Sequence, residues 1–579
     1  MPHGVASGAG ERATWGALAA LTLLALALHC VGLDWHLPHY PQGDEKILWL
    51  QLQVARGETV TPEEAQLARC YPRLLGLAAH ALVGVAPVPE DPSLETLRAS
   101  VAHDVLGIRR IIAAFSALMV PLTWLLARPL VGARWALLAA FLAGTSTLAV
   151  WYSSMGRPHA VVTTLAVACV AASLRARSTG RFGDFVLAGG LAALALGTLH
   201  SGACAFAAVA AAWWWCARPR WGAPFLGLCT AAALCLASFA LLLRGEGLPD
   251  LEQGATLADR LLSFLGMGAH QVDAGFFDGG GFARLARALR DYEPVLTVLA
   301  AAGLAALAVA AIRGRSGAEP WVPLLVVGAH PLAHVLVFGL YSNSFQRFWL
   351  PLVPYLAVLA SLAVARVASA RPSLPQRVAL AGAVVLVLAQ AAIAVKIAVL
   401  RTRDDTQELV ARWIEEHPER GPFRIDPTVQ LPLVPRDAAF RAEFVSARMY
   451  FVPWQAATLS LDAATRARLG QDLRELPLLS PEARAEFARD PAAWVDALGT
   501  GSVVLERHRD GRRRVLRAVR DELVRRAPPL AVFDPLPARD AWSRPIEYML
   551  DGPHAPEAWF VWRVVRAARL GPELEILGH

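Results

Sequence analysis

The sequence predicts a polytopic α-helical membrane protein with about eleven transmembrane helices, an outer loop that carries interfacial helices, and a C-terminal soluble α/β domain. Of its 579 residues, 55% are hydrophobic and only 18% are charged, which is too apolar for a soluble enzyme of this length. Apolar runs of near-membrane length recur up to residue 400, after which the composition turns polar. These observations divide the chain into a transmembrane part, 1–400, and a soluble part, 401–579.

The first apolar run, 15–33, is long enough to cross a bilayer core of roughly 30 Å. No small-x-small cleavage site follows it, so it is interpreted as a retained helix. Similar runs recur at roughly 109–127, 134–152, 159–174, 183–199, 203–217, 223–243, 294–312, 321–340, 348–365 and 378–400.

The placement of arginine predicts the orientation. With the N-terminus inside, every inner connection is basic, as the positive-inside rule demands, and Arg109–Arg110 is the exception on the outer side. The net charge of +7 therefore reflects topology, and no nucleic-acid partner is expected. The Ala- and Arg-rich composition favours a bacterial inner membrane, with the tail in the periplasm, and leaves an endoplasmic reticulum membrane open.

Two large outer loops follow from this count, 34–108 and 244–293. If 71–87 crossed the membrane, every later loop would change sides and the arginine pattern would invert. We therefore expect 71–87 to lie at or partly within the outer interface, and 46–55 to form a second amphipathic interfacial helix.

The soluble part begins with "DDTQELVARWIEEHPERG", in which acidic residues lead an amphipathic helix that Pro418 ends. Short β-like runs such as "GSVVLERH" follow, mixed with helical stretches. None of the 7 cysteines lies beyond residue 400, so no disulfide framework is expected there. Nucleotide-binding and hydrolase motifs are absent, and "DGGG" at 278–281 lacks the context of a phosphate-binding loop.

Four stretches, in three regions of the chain, resemble a known family. "QGDEKILWLQLQVARGE" and the following "YPRLLGLAAHALVG" are similar to the first outer loop of GT-C-fold glycosyltransferases, in the branch of protein O-mannosyltransferases and the lipid A aminoarabinose transferase. "STLAVWYSSMGRPHAVVTTLAV" resembles the second outer loop of that branch, and "NSFQRFWLPLVPYLAVLAS" resembles its late Arg-Tyr-Pro segment. The resemblance implies an inverting transfer of a sugar from a polyprenyl-phosphate carrier to a lipid, glycan or protein acceptor.

A physical argument agrees with this implication. Outside the membrane there are no nucleotide sugars, so the donor arrives in the lipid with a phosphate as its leaving group. The protein must then deprotonate the acceptor and hold the phosphate. Asp44 fits the role of base, and Glu45 that of a helper that hydrogen-bonds the acceptor or binds a divalent cation. The alternative is that this acidic pair merely opens a helix.

Arg347 and Arg157 fit the second task, because both precede apolar spans on the predicted outer side and a guanidinium binds phosphate at two points. Their alternative is snorkelling to outer headgroups. His159 departs from the acidic residue that relatives often carry there, so it is either a candidate for contact with the acceptor or a metal, or a plain residue at a helix start, and metal dependence stays open. Tyr71 is a further candidate for contact with the acceptor or a metal.

His330 and His334 lie one turn apart in an apolar helix, where they form either a metal-binding pair or a hydrogen-bonded polar pair. A transporter or flippase of lipid-linked intermediates is the rival to the glycosyltransferase. Such a protein would explain the spans and the outer arginines, but not an acidic pair on an outer loop or a soluble domain. A non-catalytic scaffold is the third reading.

Overall fold

A computed structural model describes residues 8–38, 45–85, 92–243, 276–313, 318–370, 372–426, 429–440, 453–477, 481–507, 514–536 and 560–578. Up to residue 401 the helices are α1 (Gly8–Cys30), α2 (Glu45–Arg56), α3 (Pro62–Ala68), α4 (Leu74–Leu82), α5 (Leu94–Val131), α6 (Ala133–Gly144), α7 (Thr147–Tyr152), α8 (His159–Thr179), α9 (Phe182–Thr198), α10 (Phe206–Trp214), α11 (Ala223–Leu243), α12 (Gly280–Tyr292), α13 (Pro294–Ile312), α14 (Ala318–Leu340), α15 (Val353–Ala368) and α16 (Leu374–Arg401). Short 3-10 helices cover His200–Ala205 and Gln346–Leu352.

The protein is a polytopic helical membrane protein. Within the described residues, seven helices are long and apolar enough to cross a membrane, namely α1, α5, α8, α13, α14, α16, and α15 together with the 3-10 helix before it. Shorter apolar helices, among them α6, α9 and α11, fall where the sequence predicts further spans. The total of about eleven spans and the orientation stay predictions.

Close helix packing in this part depends on small residues. Gly189 of α9 faces Ala231 of α11 so closely that an added Cβ would overlap it, and Gly303 of α13 lies against the backbone of Leu359 in α15. Small residues allow such close approach of backbones where water supplies no driving force between helices. α5 packs against α1, α6 and α8, and α15 packs against α6 and α13.

α2 of the outer loop makes more contacts within the protein than its amphipathic sequence indicates. This helix was expected to lie at the membrane interface as 46–55, but seven of its residues are buried within the protein, among them Ile47 and Leu52. Its polar side is also covered, because the Gln51 amide donates to the carbonyls of Ala68 and Tyr71, at 2.8 Å each. α2 is therefore packed within the protein, and whether it also lies at the membrane interface stays a prediction.

α4 covers part of the stretch 71–87. It exposes more than half of Leu77 and Leu82, an apolar surface that suits an interfacial helix. Whether 71–87 is interfacial or re-entrant stays a prediction.

Beyond residue 401 the elements are α17 (Thr406–Glu416), β1 (Phe423–Ile425), α18 (Pro453–Leu459), α19 (Ala463–Leu469), β2 (Leu473–Glu475), α20 (Pro481–Arg489), α21 (Pro491–Ala497), β3 (Ser502–Glu506), α22 (Arg514–Arg526), β4 (Pro529–Phe533), α23 (Phe560–Arg566) and β5 (Leu574–Gly578). The strands form one sheet in the order β2-β1-β3-β5-β4. β1 is parallel to β2 and β3, while β5 is antiparallel to β3 and β4.

Both faces of this sheet are covered, because Val504 belongs to one apolar cluster and its neighbours Val503 and Leu505 to another. The helix expected after residue 404 is present as α17, and Asp405 caps its start together with Glu408. The placement of residues 401–579 in the periplasm as a separate domain stays a prediction.

The C-terminal part also contributes to the core of the membrane part. Phe560 of α23 stacks on Tyr292 with ring centroids 4.4 Å apart, and meets the edge of Trp151 at 5.1 Å. The same core contains Leu28 of α1. A second junction joins the buried side chains of His36 and Asp405, whose Nδ1 and Oδ2 atoms are 2.5 Å apart.

Candidate active site

Glu45 is the first residue of α2, and it is fixed by a buried ion pair. Arg109 of α5 donates from Nε and Nη2 to its two carboxylate oxygens, at 2.8 Å and 2.7 Å, and neither side chain is exposed. The remaining Arg109 nitrogen, Nη1, donates to the carbonyls of Leu33 and Trp35. The pair therefore ties the start of α2 to α5 and to the turn that follows α1. Asp44, the expected base, directly precedes Glu45 and lies outside the described residues.

Arg109 is a functional candidate that the sequence analysis missed. In the sequence it is only an exception to the positive-inside pattern of the predicted orientation, and in the structure it is buried in an ion pair with Glu45. The signal was an arginine at the entry to an apolar helix, facing an outer loop with an acidic pair. Its partner is 64 residues away, so local pattern could not identify the pair.

The segment that carries Arg157 lies directly against Glu45. The Gly156 amide donates to Glu45 Oε1, and a Cβ on Gly156 would stand 3.0 Å from that same oxygen. A larger residue here would therefore push the Glu45 side chain or the segment itself by a few tenths of an ångström. Arg157 itself is only 4% exposed, so its side chain is buried in the protein, and its neighbour Gly156 contacts the start of α2.

The segment that carries Arg347 contacts the start of α8, which directly follows the segment that carries Arg157. His159, the first residue of α8, stacks on Phe348, with ring centroids 5.6 Å apart and 19° between the planes. The Arg347 guanidinium lies over the rings of Phe345 and Phe348, at 4.2 Å and 5.3 Å, and is 3% exposed. The structure thus brings together Glu45, Arg157, His159 and Arg347, which come from three separate parts of the chain.

His330 and His334 support this arrangement through hydrogen bonds. His334 Nε2 lies 2.6 Å from the Phe348 carbonyl, and His330 Nδ1 lies 2.8 Å from the Tyr355 hydroxyl. These contacts match the alternative of a hydrogen-bonded polar pair. Across the described ranges, no group of three or more His, Cys, Asp or Glu side chains is placed to hold a metal ion.

Tyr71 is buried beside α2, where its carbonyl accepts from Gln51. This contact, with Gly76 packed against the Gln51 side chain, seats α4 on α2. A role of Tyr71 or His159 in binding an acceptor or a metal stays a prediction.

No protein-family model matches the chain, and no curated protein matches it. Among solved structures the chain is similar to ArnT from Cupriavidus metallidurans bound to undecaprenyl phosphate, with 14% identity and a TM-score of 0.44 over 92% of this chain and 97% of that one. It is also similar to the archaeal oligosaccharyltransferase AglB from Archaeoglobus fulgidus, in complex with an inhibitory peptide and a dolichol-phosphate. Here the identity is 12% and the TM-score 0.45, over 86% of this chain and 70% of that one.

Neither likeness shows what this chain itself binds or transfers.

Proposed function

We propose that the protein is an inverting glycosyltransferase. It moves a sugar from a polyprenyl-phosphate-linked donor to a lipid, glycan or protein acceptor on the outer face of the membrane. The observation that carries the proposal is the convergence of three motif segments: Gly156 donates to Glu45, and His159 stacks on Phe348. The three segments are distant in sequence, and nothing in ordinary helix packing requires them to be in contact. Their contact therefore supports a shared site.

In the proposed reaction, an acceptor hydroxyl oxygen attacks the anomeric carbon while the bond from that carbon to the phosphate oxygen breaks. The electron pair of that bond leaves with the polyprenyl phosphate, and the acceptor proton passes to Asp44. One displacement on one face inverts the anomeric centre. Arg157 and Arg347 bind the phosphate, whose leaving charge they stabilise more strongly at a buried site than in water.

We assign Glu45 a role different from the one expected from the sequence. Because Arg109 and Gly156 already bind its carboxylate oxygens, we assign it to positioning, where it holds the start of α2 and hence Asp44. The proposal assigns no divalent cation to Glu45. The orientation proposed with this mechanism has the N-terminus in the cytoplasm of a bacterium and residues 401–579 in the periplasm, where the acceptor is found.

The test is transfer by purified protein in detergent, with a panel of radiolabelled polyprenyl-phosphate sugars and extracted envelope acceptors. Wild type is compared with Asp44→Asn and with Asp34→Asn, a matched control because Asp34 is an exposed acid of the same loop. Product from wild type and Asp34→Asn alone supports the proposal. Product from Asp44→Asn at a similar rate removes Asp44 as the base. Binding of lipid-linked sugar with no product from any variant, and its translocation in proteoliposomes, would favour the flippase instead.

A further inference from the structure

α7 is a six-residue helix whose position decides where Arg157 lies. All six of its residues are buried, and the chain passes from Tyr152 into the short segment that contains Gly156 and Arg157. The Ser153 amide still donates to the Ala149 carbonyl, so this segment continues from α7 without a flexible break. Any movement of α7 is therefore passed to the contact between Gly156 and Glu45.

The start of α7 is held by a carboxylate from a distant part of the chain. Glu293, which directly precedes α13, is 1% exposed, and its Oε1 accepts from the Ser146 hydroxyl at 2.6 Å and from the Leu148 amide at 2.7 Å. Ser146 in turn caps the helix by accepting from Ala149. An acidic group at this end also opposes the positive end of the helix dipole.

The other end of α7 is held by a cation. Arg401, the last residue of α16, is 2% exposed and donates to the carbonyls of Val150 and Leu28, at 3.4 Å and 2.6 Å. These carbonyls belong to the C-terminal turns of α7 and α1, which carry partial negative charge. α7 is thus fixed between Glu293 and Arg401.

We propose that Glu293 is a positioning residue, which fixes α7 through Ser146 and Leu148 and thereby holds the Arg157 segment against Glu45. The inference rests on the proposed function for its effect on transfer, while the effect on the position of α7 is independent of it. Where the structure describes the chain, the side-chain hydrogen bonds of Glu293 go to the start of α7, so its proposed effect passes through α7.

The burial of Glu293 makes the stability of its junction with α7 depend on pH. Burial raises the pKa of Glu293 to about 7, although the hydrogen bonds from Ser146 and Leu148 act in the opposite direction. The second oxygen, Oε2, is buried and has no hydrogen-bond partner among the described residues, so it is the atom to which we assign the proton. The charged groups on the elements around the junction are Asp291 with Arg290 on α12, Arg401, and Arg563 on α23. In the described part of the chain, none of them forms an ion pair with Glu293.

The direction of this pH dependence follows from the linkage between proton binding by Glu293 and opening of the junction. An opened junction returns Glu293 to water and to its ordinary pKa of 4.5, so the closed junction binds the proton more tightly and is favoured at low pH. Closure weakens as the pH rises from 4.5 toward 7 and changes little above it. Between pH 6 and pH 8 the opening equilibrium of α7 should increase about tenfold.

The first test is hydrogen–deuterium exchange of the peptide that covers residues 147–158, corrected for the intrinsic effect of pH. Wild type should lose about tenfold in protection between pH 6 and pH 8. Glu293→Gln, which imitates the protonated acid, should show no such loss. Asp291→Asn is the matched control, because this buried acid pairs with Arg290 and not with α7. Equal pH dependence in wild type and Glu293→Gln would overturn the proposal.

If Glu293→Gln does not fold, a second variant tests the same proposal. Ser146→Ala removes a hydrogen bond that favours the ionised carboxylate, so the pH window should move upward; an unmoved window would contradict the proposal. In the transfer assay, wild-type kcat should fall between pH 6 and pH 8, and that of Glu293→Gln should stay flat. If the exchange results are as expected but no variant shows transfer, the proposed function is contradicted and the role of Glu293 in holding α7 is not.

Discussion

Arg109 binds both carboxylate oxygens of Glu45, and both side chains are completely removed from solvent. Taking two charges out of water costs several kcal/mol per ion, so such a pair persists only when its geometry and its further hydrogen bonds are good. Here the Leu33 and Trp35 carbonyls and the Gly156 amide supply those bonds. The pair is therefore a fixed point around which the candidate site is built.

Removing one member of this pair should be severely destabilising. Arg109→Met leaves the Glu45 carboxylate buried without a cation, which costs about 3–5 kcal/mol. Thermal unfolding in detergent should show a large drop in Tm, and the double variant Arg109→Met with Glu45→Gln should recover part of it. The adjacent Arg110→Met is the control, because Arg110 is exposed. Equal effects at the two arginines would contradict the structural role of the pair.

A methyl group at Gly156 should separate the two halves of the site. In Gly156→Ala the new Cβ would lie 3.0 Å from Glu45 Oε1, so either the Arg157 segment or α2 must move. We expect transfer to fall at least about tenfold, since misplacement of about 1 Å can cost 100-fold in rate. Gly190→Ala in α9 is the control, because nothing lies within 4 Å of its added Cβ. Full activity of Gly156→Ala would show that this contact does not position the site.

The two buried arginines should respond to substitution through donor binding. Arg347→Lys and Arg157→Lys keep the charge but lose two-point contact with a phosphate, so we expect affinity for a polyprenyl phosphate to fall about tenfold, or 1.4 kcal/mol. Isothermal titration with undecaprenyl phosphate, at matched detergent concentration, measures this. Arg313→Lys, an exposed arginine, serves as the control. Unchanged affinity in both lysine variants would remove them from the phosphate site.

Glu293 should also change how global stability depends on pH. Its folded pKa of about 7 lies above the ordinary 4.5, so its contribution to stability is complete below pH 4.5 and is lost as the pH rises to 7. The loss is at most about 3 kcal/mol, from the two pKa values. Glu293→Gln should therefore have a higher Tm than wild type at pH 8 and a similar Tm near pH 4.5. A lower Tm for the variant at pH 8 would reverse the assigned sign.

The sequence predicted the apolar helices well, because a run of about twenty apolar residues has few alternatives to a membrane span. It did not predict the buried contacts of α2, since an amphipathic pattern is the same whether the polar face meets headgroups or buried partners. In this protein the polar face meets partners: Gln51 bonds to two carbonyls, and Gln53 donates to Asp104 at 3.0 Å.

The candidate site was predictable only in part. The motifs containing Glu45, Arg157 and Arg347 could be chosen by resemblance, but their convergence depends on the packing of α2, α8 and the 3-10 helix before α15. Glu293 gave no signal, because an acid before a proline looks like an ordinary helix start. Its importance comes from Ser146, which is 147 residues away.

The stacking of Phe560 on Tyr292 has a consequence for biosynthesis. One apolar core contains Leu28 of the first helix and Phe560 and Leu570 of the last elements, so its final members leave the ribosome hundreds of residues after its first. The spans inserted early must wait, with the aromatic faces of Trp151 and Tyr292 uncovered, until translation is almost finished. A nascent chain that stalls before residue 560 would therefore present an unfinished aromatic surface, which favours misassembly or aggregation.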